Sequence, residues 1–174
     1  MIGPPLYYSF SEFFGMDDAT AQEAVRLYRE HYCTIGMYKS PLYNGVEEVL
    51  NTLKSSGAVL AVVTGKPKSI SEKIIEHLKF SHLFATVTGP DEKSKNPQKA
   101  ELITHTINEL NIPPEHYRQT IMVGDRSFDI IGAKEVGIRS IGVTYGYGTR
   151  TELATAGADL IVDTTYELLD AVAL

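Results

Sequence analysis

Cysteine occurs once, as Cys33, and tryptophan not at all. A lone thiol cannot close an intramolecular disulfide or build a thiolate metal cluster, so the staples of small secreted domains are excluded and a reduced, cytoplasmic setting is expected. No apolar run approaches the ~18 residues that a membrane-spanning helix requires, and no signal-like segment is present, so no membrane partner is expected. Positive charge is also scarce: 16 Lys and Arg stand against 22 Asp and Glu, a net charge of −6. That balance provides no broad basic face for a nucleic-acid polymer, and any anionic ligand must be gripped by a local pocket, which suits a small phosphate. What remains is the composition of a globular protein: of 174 residues 43% are apolar and 22% charged, enough to bury one good core, with or without a small appended piece.

From Pro41 onward, helical patterns alternate with short apolar runs, the rhythm of βαβ units on a parallel sheet. Strands are expected over Ala58–Val63, Ala85–Thr88, Thr120–Val123, Ser140–Val143 and Leu160–Val162. Helices are expected near Gly45–Ser55, Pro67–Leu78, Pro97–Leu110, Ser127–Val136, Thr149–Ala156 and Thr165–Val172. Gly57, Gly137 and Gly157 fall just past three of these helices, where a left-handed residue ends a helix at least cost. The first forty residues differ: after Gly3-Pro4-Pro5-Leu6 comes aromatic-rich helical text with Tyr7, Tyr8, Phe10, Phe13, Phe14, Tyr28 and Tyr32, and no strand. The division predicted is a helical piece over 1–41 and an α/β core over 42–174, with Pro41 interrupting helix formation between them. Aromatic residues at helical spacing usually pack against a neighbouring helix, so that role is preferred here over stacking on a ligand.

Three segments carry chemistry. Thr120 to Asp129 reads as a buried strand ending in Gly124-Asp125 and turning into a helix that holds Asp129. Both carboxylates then sit at the carboxyl end of a parallel strand, the rim where open α/β sheets bind ligands, and paired carboxylates there suit Mg²⁺. The plain alternative is that Asp125 only caps the helix. Val62-Val63-Thr64-Gly65-Lys66-Pro67 is again a strand ending in a hydroxyl, a glycine and a helix start, and so a phosphate cradle of Thr64 and Gly65, or simply a Thr closing a strand. Lys99 opens a helix, where the dipole disfavours a cation; it points to a functional cation at the same rim or to a solvated surface lysine, with Lys95 competing for the role.

In this order the three segments resemble the later motifs of the haloacid dehalogenase superfamily. Thr64 resembles the phosphate-binding hydroxyl of its second motif, Lys99 the lysine of its third, and Gly124-Asp125-Arg126-Ser127-Phe128-Asp129 its acidic fourth motif. Lys99 is preferred to Lys95 because a small residue, an acid and two aliphatics follow it (Ala100, Glu101, Leu102, Ile103). The text from Pro41 to Leu174, including Tyr43-Asn44-Gly45-Val46 and Tyr145-Gly146-Tyr147-Gly148, is similar to the branch of phosphoglycolate phosphatases and 5′-nucleotidases. The resemblance implies a Rossmann-like parallel sheet with a partial helical cap, and Mg²⁺-dependent hydrolysis of small phosphomonoesters such as phosphoglycolate or a nucleoside monophosphate. Asp125 and Asp129 would hold the metal, Thr64, Gly65 and Lys99 the phosphate, and Lys99 and Asp129 would serve catalysis. The glycines of the 146–148 loop would let it pass close to that rim, and Arg126 would reach a substrate carboxylate or phosphate, with an ordinary loop and a surface salt bridge as the equally weighted plain roles.

One part of the pattern is missing. The family's reaction needs an aspartate nucleophile and a second aspartate acting as acid and base, in an Asp-x-Asp at the end of its first strand. No Asp-x-Asp occurs in this sequence. The resemblance places that strand between those ending at Thr64 and Asp125, so the core is expected to lack its first strand and Met1 to be an internal start. The chain as given is then expected to be inactive, a truncated phosphatase whose slot is filled by an upstream segment, a displaced one, or a second copy through strand exchange. Direct pairing of the two flanking strands would refute this. A non-catalytic, regulatory phosphate-binding protein is the alternative; a receiver-like domain ranks lower, because its acidic pair and phosphoacceptor are absent too.

Overall fold

The boundaries of the elements follow from where backbone groups find partners. In the computed structural model, which describes residues 6–39, 41–91, 94 and 97–173, the chain opens with α1 (Leu6–Tyr8), which runs on as a π-helical turn over Ser9–Phe13. Helix α2 (Asp18–Thr34) and a 3₁₀ turn over Gly36–Tyr38 complete this first piece. Gly3, Pro4, Pro5, Ser40 and Lys95, all of which bear on the sequence reading, lie outside the described residues. The rest alternates as expected: α3 (Val46–Ser55), β1 (Leu60–Val63), α4 (Lys68–His77), β2 (Phe84–Thr88), α5 (Lys99–Glu109), β3 (Ile121–Gly124), α6 (Ser127–Val136), β4 (Arg139–Val143), α7 (Arg150–Ala156), β5 (Leu160–Val162) and α8 (Thr165–Ala173), with a 3₁₀ turn over Pro114–Gln119.

Caps mark the ends. Asp17 accepts the Thr20 N–H at 2.8 Å to start α2, and Thr149 accepts the Glu152 N–H at 3.1 Å to start α7. Gly137 and Gly157 end α6 and α7 at φ of 84° and 85°, a left-handed conformation that glycine adopts without a Cβ penalty. Two starts differ from the sequence reading by two residues, and the others by at most one. Strand β1 begins at Leu60, not Ala58, because the Ala58 N–H turns back to the Leu53 carbonyl and belongs to the closure of α3. Helix α5 begins at Lys99, not Pro97, because Gln98 is still extended (φ −81°, ψ 132°).

All strand pairs are parallel, and the described strands form two sheets, β1 with β2 and β3-β4-β5. The strands that end at Thr64 and Asp125 are not paired with each other. The consequence shows in burial. Strand β4, flanked on both sides, is buried at every residue but its first, whereas β1 and β3, each flanked on one side, are only half-buried, and Val123 is 37% exposed.

Helices hold the two sheets together. Helix α5 packs on β1 and β2, α6 on β3 and β4, and α5 and α6 pack extensively on each other. Ile103, Ile107, Ala133 and Ile138 form their shared core, and both Val63 of β1 and Met122 of β3 lean against it. A second cluster on the other face, with Val49, Ile141, Val143, Val162 and Leu168, seals α3 and α8 to the three-stranded sheet. Burying each such side chain contributes about 1.5–3 kcal/mol. Among the described residues, no helix is long and apolar enough to cross a membrane.

Candidate active site

Within each sheet the strands run parallel, and side chains join the loops at their ends: Lys99 reaches both the end of β1 and Asp129 beyond β3, and the loop after β4 meets Asp125. The loop after β1 is Thr64-Gly65-Lys66-Pro67. The Thr64 N–H extends the ladder to the Thr88 carbonyl (3.0 Å), and Thr64 Oγ1 accepts the Lys66 N–H at 3.1 Å, a hydroxyl-closed turn. Two N–H groups of this turn are therefore already used, Lys66's by Thr64 and Lys68's by the Pro90 carbonyl at 3.2 Å. The cradle narrows to the Thr64 hydroxyl and the exposed turn at Gly65, where a Cβ would meet nothing within 4 Å.

Lys99 lies at the first turn of α5, and its side chain crosses from one sheet to the other. Its ammonium donates to the Val63 carbonyl at 3.1 Å, at the end of β1, and pairs with Asp129 Oδ1 at 2.9 Å, on α6 behind β3. Both side chains are largely buried, at 14% and 11% exposure, so the pair is poorly screened and each charge depends on the other. Gly132 makes the crossing feasible: a Cβ there would stand 2.7 Å from Lys99 Cγ. Gly124 does the same for Asp129, since a Cβ on it would fall 2.3 Å from Asp129 Cβ. Neither glycine role is visible in the sequence, because each depends on a neighbour folded in from elsewhere.

Asp125 does not cap α6. Its Oδ2 accepts the Tyr147 N–H at 2.8 Å from the loop after β4, and a Cβ at Gly146 would lie 2.4 Å from that oxygen, while Gly148 lets the loop pass against the Asp125 carbonyl. The N–H groups at the start of α6 are served by others: Arg126 N donates to Asp129 Oδ2 (3.2 Å) and Ser127 N to Glu152 Oε1 (2.8 Å). Glu152 also pairs with Arg126 Nε at 2.9 Å, which makes Arg126 an internal strut as well. Burial pushes the Glu152 carboxyl up, but the Ser127 N–H and the Arg126 guanidinium outweigh it and hold the group below its ordinary range. Glu152 was not singled out in the sequence; only its place 26 residues from Arg126 in the chain, closed by folding, reveals it.

Beside Asp125 a cavity of about 370 Å³ opens, lined by Tyr43, Val123, Val143, Tyr145 and Tyr147. Tyr43 and Tyr145 meet edge to face at 5.4 Å. Burial, with the Asp125 carboxylate as the next contributor, raises the Tyr145 phenol above its ordinary value.

The structure thus joins Lys99 to Asp129 directly and to the end of the Thr64 strand through Val63, and sets Asp125 on a separate loop contact. Among the described residues no three His, Cys, Asp or Glu side chains are placed to hold a metal ion together. Mg²⁺ needs fewer: it is bound through one or two carboxylates, with waters and substrate oxygens completing its shell. Asp125 and Asp129 have the oxygen chemistry for it, with Asp129 Oδ1 on Lys99, Asp129 Oδ2 on the Arg126 N–H and Asp125 Oδ2 on the Tyr147 N–H.

A model of the haloacid dehalogenase-like hydrolases matches residues 1–143. The chain belongs to that family. As a haloacid dehalogenase-like hydrolase it is, by family, a phosphoric monoester hydrolase. It is 37% identical over 152 residues to a 5′-nucleotidase of Pseudomonas aeruginosa and 34% identical over 155 residues to a phosphoglycolate phosphatase of Colwellia psychrerythraea, in each case covering 67% of the relative. Those matches take in 87% and 88% of this chain. A predicted phosphatase from Clostridium acetobutylicum superposes on 98% of the chain and 78% of its own, with a TM-score of 0.92 and 38% identity. The tyrosine-protein kinase PtkA of Mycobacterium tuberculosis is 30% identical over 148 residues, 85% of this chain and 49% of its own length.

Proposed function

We propose that this hydrolase carries the phosphate- and metal-binding side of a Mg²⁺-dependent phosphatase of small phosphomonoesters, of the phosphoglycolate or nucleoside monophosphate type. The observation that carries the reading is Lys99, a largely buried ammonium bonded at once to the end of β1 and to Asp129. A cation there faces the place where phosphate charge would sit, between the Thr64 loop and the two aspartates. Asp125 and Asp129 would hold Mg²⁺, which supplies Lewis-acid polarisation of the phosphoryl oxygens when bound. Thr64 and Gly65 would receive those oxygens, and the helices of residues 6–38 would act as a partial cap over the core.

With no Asp-x-Asp in the sequence, a nucleophile must come from a strand that occupies the space between β1 and β3. An upstream segment in the same frame would supply it, whereas a second copy through strand exchange would fill the strand position without bringing an Asp-x-Asp; the setting would be the cytoplasm, with no nucleic-acid polymer as partner. The chain as given is then inactive. The alternative, a non-catalytic phosphate-binding protein, rests on the same missing pair.

The test is hydrolysis of p-nitrophenyl phosphate with Mg²⁺ by three proteins: this chain, a version extended upstream by an Asp-x-Asp-bearing strand, and that version with Asp125→Asn. Activity only in the extended form, lost in the variant, supports the reading. Metal-dependent turnover by the chain as given overturns the missing-nucleophile argument. Metal-dependent phosphate binding with no turnover in any form favours the non-catalytic alternative.

A further inference from the structure

We propose that Lys66 is a positioning residue that ties the helical piece of residues 6–38 to the loop after β1, with the ring of Tyr32 as its seat. The main chain of Lys66 is fixed on both sides. Its N–H is held by Thr64 Oγ1 at 3.1 Å, and its carbonyl lies so close to Gly89 that a Cβ there would come within 2.3 Å of it. Only the side chain is left to be aimed, and it leaves the core: the ammonium stands 4.6 Å from the centroid of Tyr32, on the last turn of α2. That is within the ~6 Å at which the negative face of an aromatic ring attracts a cation.

The seat is itself built. The Tyr32 ring lies nearly parallel to Tyr28, with centroids 5.7 Å apart and planes 12° apart. On its other flank, a Cβ at Gly36 would stand only 2.9 Å from Tyr32 Cδ2, so a glycine is what gives the ring this position. A second contact between the pieces lies at the far end of α4, where Tyr38 packs on His77 at 4.6 Å. Lys66 precedes α4 and His77 ends it, so the two contacts bracket a helix of 10 residues, about 15 Å long. With Tyr38 and His77 as the pivot, the Lys66 contact sets how far α2 stands from the rim of the core. Removing it frees that end alone.

The same ammonium belongs to the loop assigned to phosphate, and this link to the substrate rests on the proposed function. A bound phosphate dianion beside Lys66 would draw the lysine, and α2 with it, toward the rim.

The experiment places spin labels at Leu27→Cys on α2 and Glu135→Cys on α6, both exposed positions, in a Cys33→Ser background of the whole chain, and reads the distance distribution between them. The parent is expected to give a narrow population. Lys66→Met and Tyr32→Leu are each expected to lose it, their combination to do no worse than either, and Lys66→Arg and Tyr32→Phe, which keep the cation and the ring, to retain it. A parental distribution in Lys66→Met, additive effects in the double variant, or no retention in the conservative variants would overturn the proposal. Inorganic phosphate with Mg²⁺ is then added. A shift to shorter distance in the parent but not in Lys66→Met supports the link to the site; if phosphate leaves the parent unchanged while Lys66→Met still broadens the distribution, the phosphate reading of the loop fails and the tie stands.

Discussion

Lys99 shows how much a single side chain can be asked to hold. Its charge is compensated by Asp129, and the reverse holds too, so truncating one partner leaves the other buried and unpaired, which costs more than the pair contributes on its own. Lys99→Met is expected to lose about 1–3 kcal/mol in urea unfolding, while the double variant Lys99→Met with Asp129→Asn recovers part of that loss, because the neutral amide needs no counter-charge. A double variant as unstable as the sum of the two single ones would show that the lysine acts through packing against Gly132 and not through its charge. The sequence placed Lys99 by its unfavourable position at a helix start, which is a local signal and legible. It could not show that Gly132 and Gly124 must be glycines, because what a Cβ would strike there is set by another element.

At the scale of elements, the start of α6 depends on α7. Glu152 serves both the Ser127 N–H and the Arg126 guanidinium, beside Asp129 of α6 itself, which takes the Arg126 N–H. Its carboxyl lies lower in the folded protein than its ordinary value of 4.5, so its contribution is fully present above that value and is lost as pH falls through the lower, folded one. At pH 7, Glu152→Gln is expected to be less stable than the parent by ~0.5–1 kcal/mol, a figure reduced for solvent screening. The difference should close as unfolding midpoints are followed below pH 4.5, and one that stays constant down to pH 3 would exclude the ionised carboxylate as its source. Helix ends set by a local glycine were legible: Gly57, Gly137 and Gly157 take the left-handed conformation expected of them, whereas the caps at Asp17 and Thr149 were not singled out in the sequence. Contacts such as Arg126 with Glu152, Tyr43 with Tyr145 and Lys66 with Tyr32 were not, because each closes across elements that carry no mutual pattern in the chain.

Across the whole molecule, the parallel rhythm that identified an α/β fold does not determine whether neighbouring strands actually pair. That depends on what lies between them, and here, among the described residues, β1 and β3 each carry one unpartnered edge while α5 and α6 hold the two sheets in a common frame. Unpaired edge amides open to solvent more readily than amides flanked on both sides, and local opening, not global unfolding, then sets their exchange. Amides of β1 and β3 are therefore expected to exchange faster than those of β4, by at least tenfold where they point into the space between the sheets, a difference of about 1.4 kcal/mol in local stability. In a version extended upstream by an apolar strand, protection should rise at β1 and β3 together and change little at β4, which already has both neighbours. Protection rising at only one of the two edges would mean that the added segment pairs outside the space between the sheets, and the site would then lack the geometry in which Lys99 could face a nucleophile held there. The pattern of protection, read strand by strand, thus separates a strand that completes the active site from one that merely adds to the protein's edge.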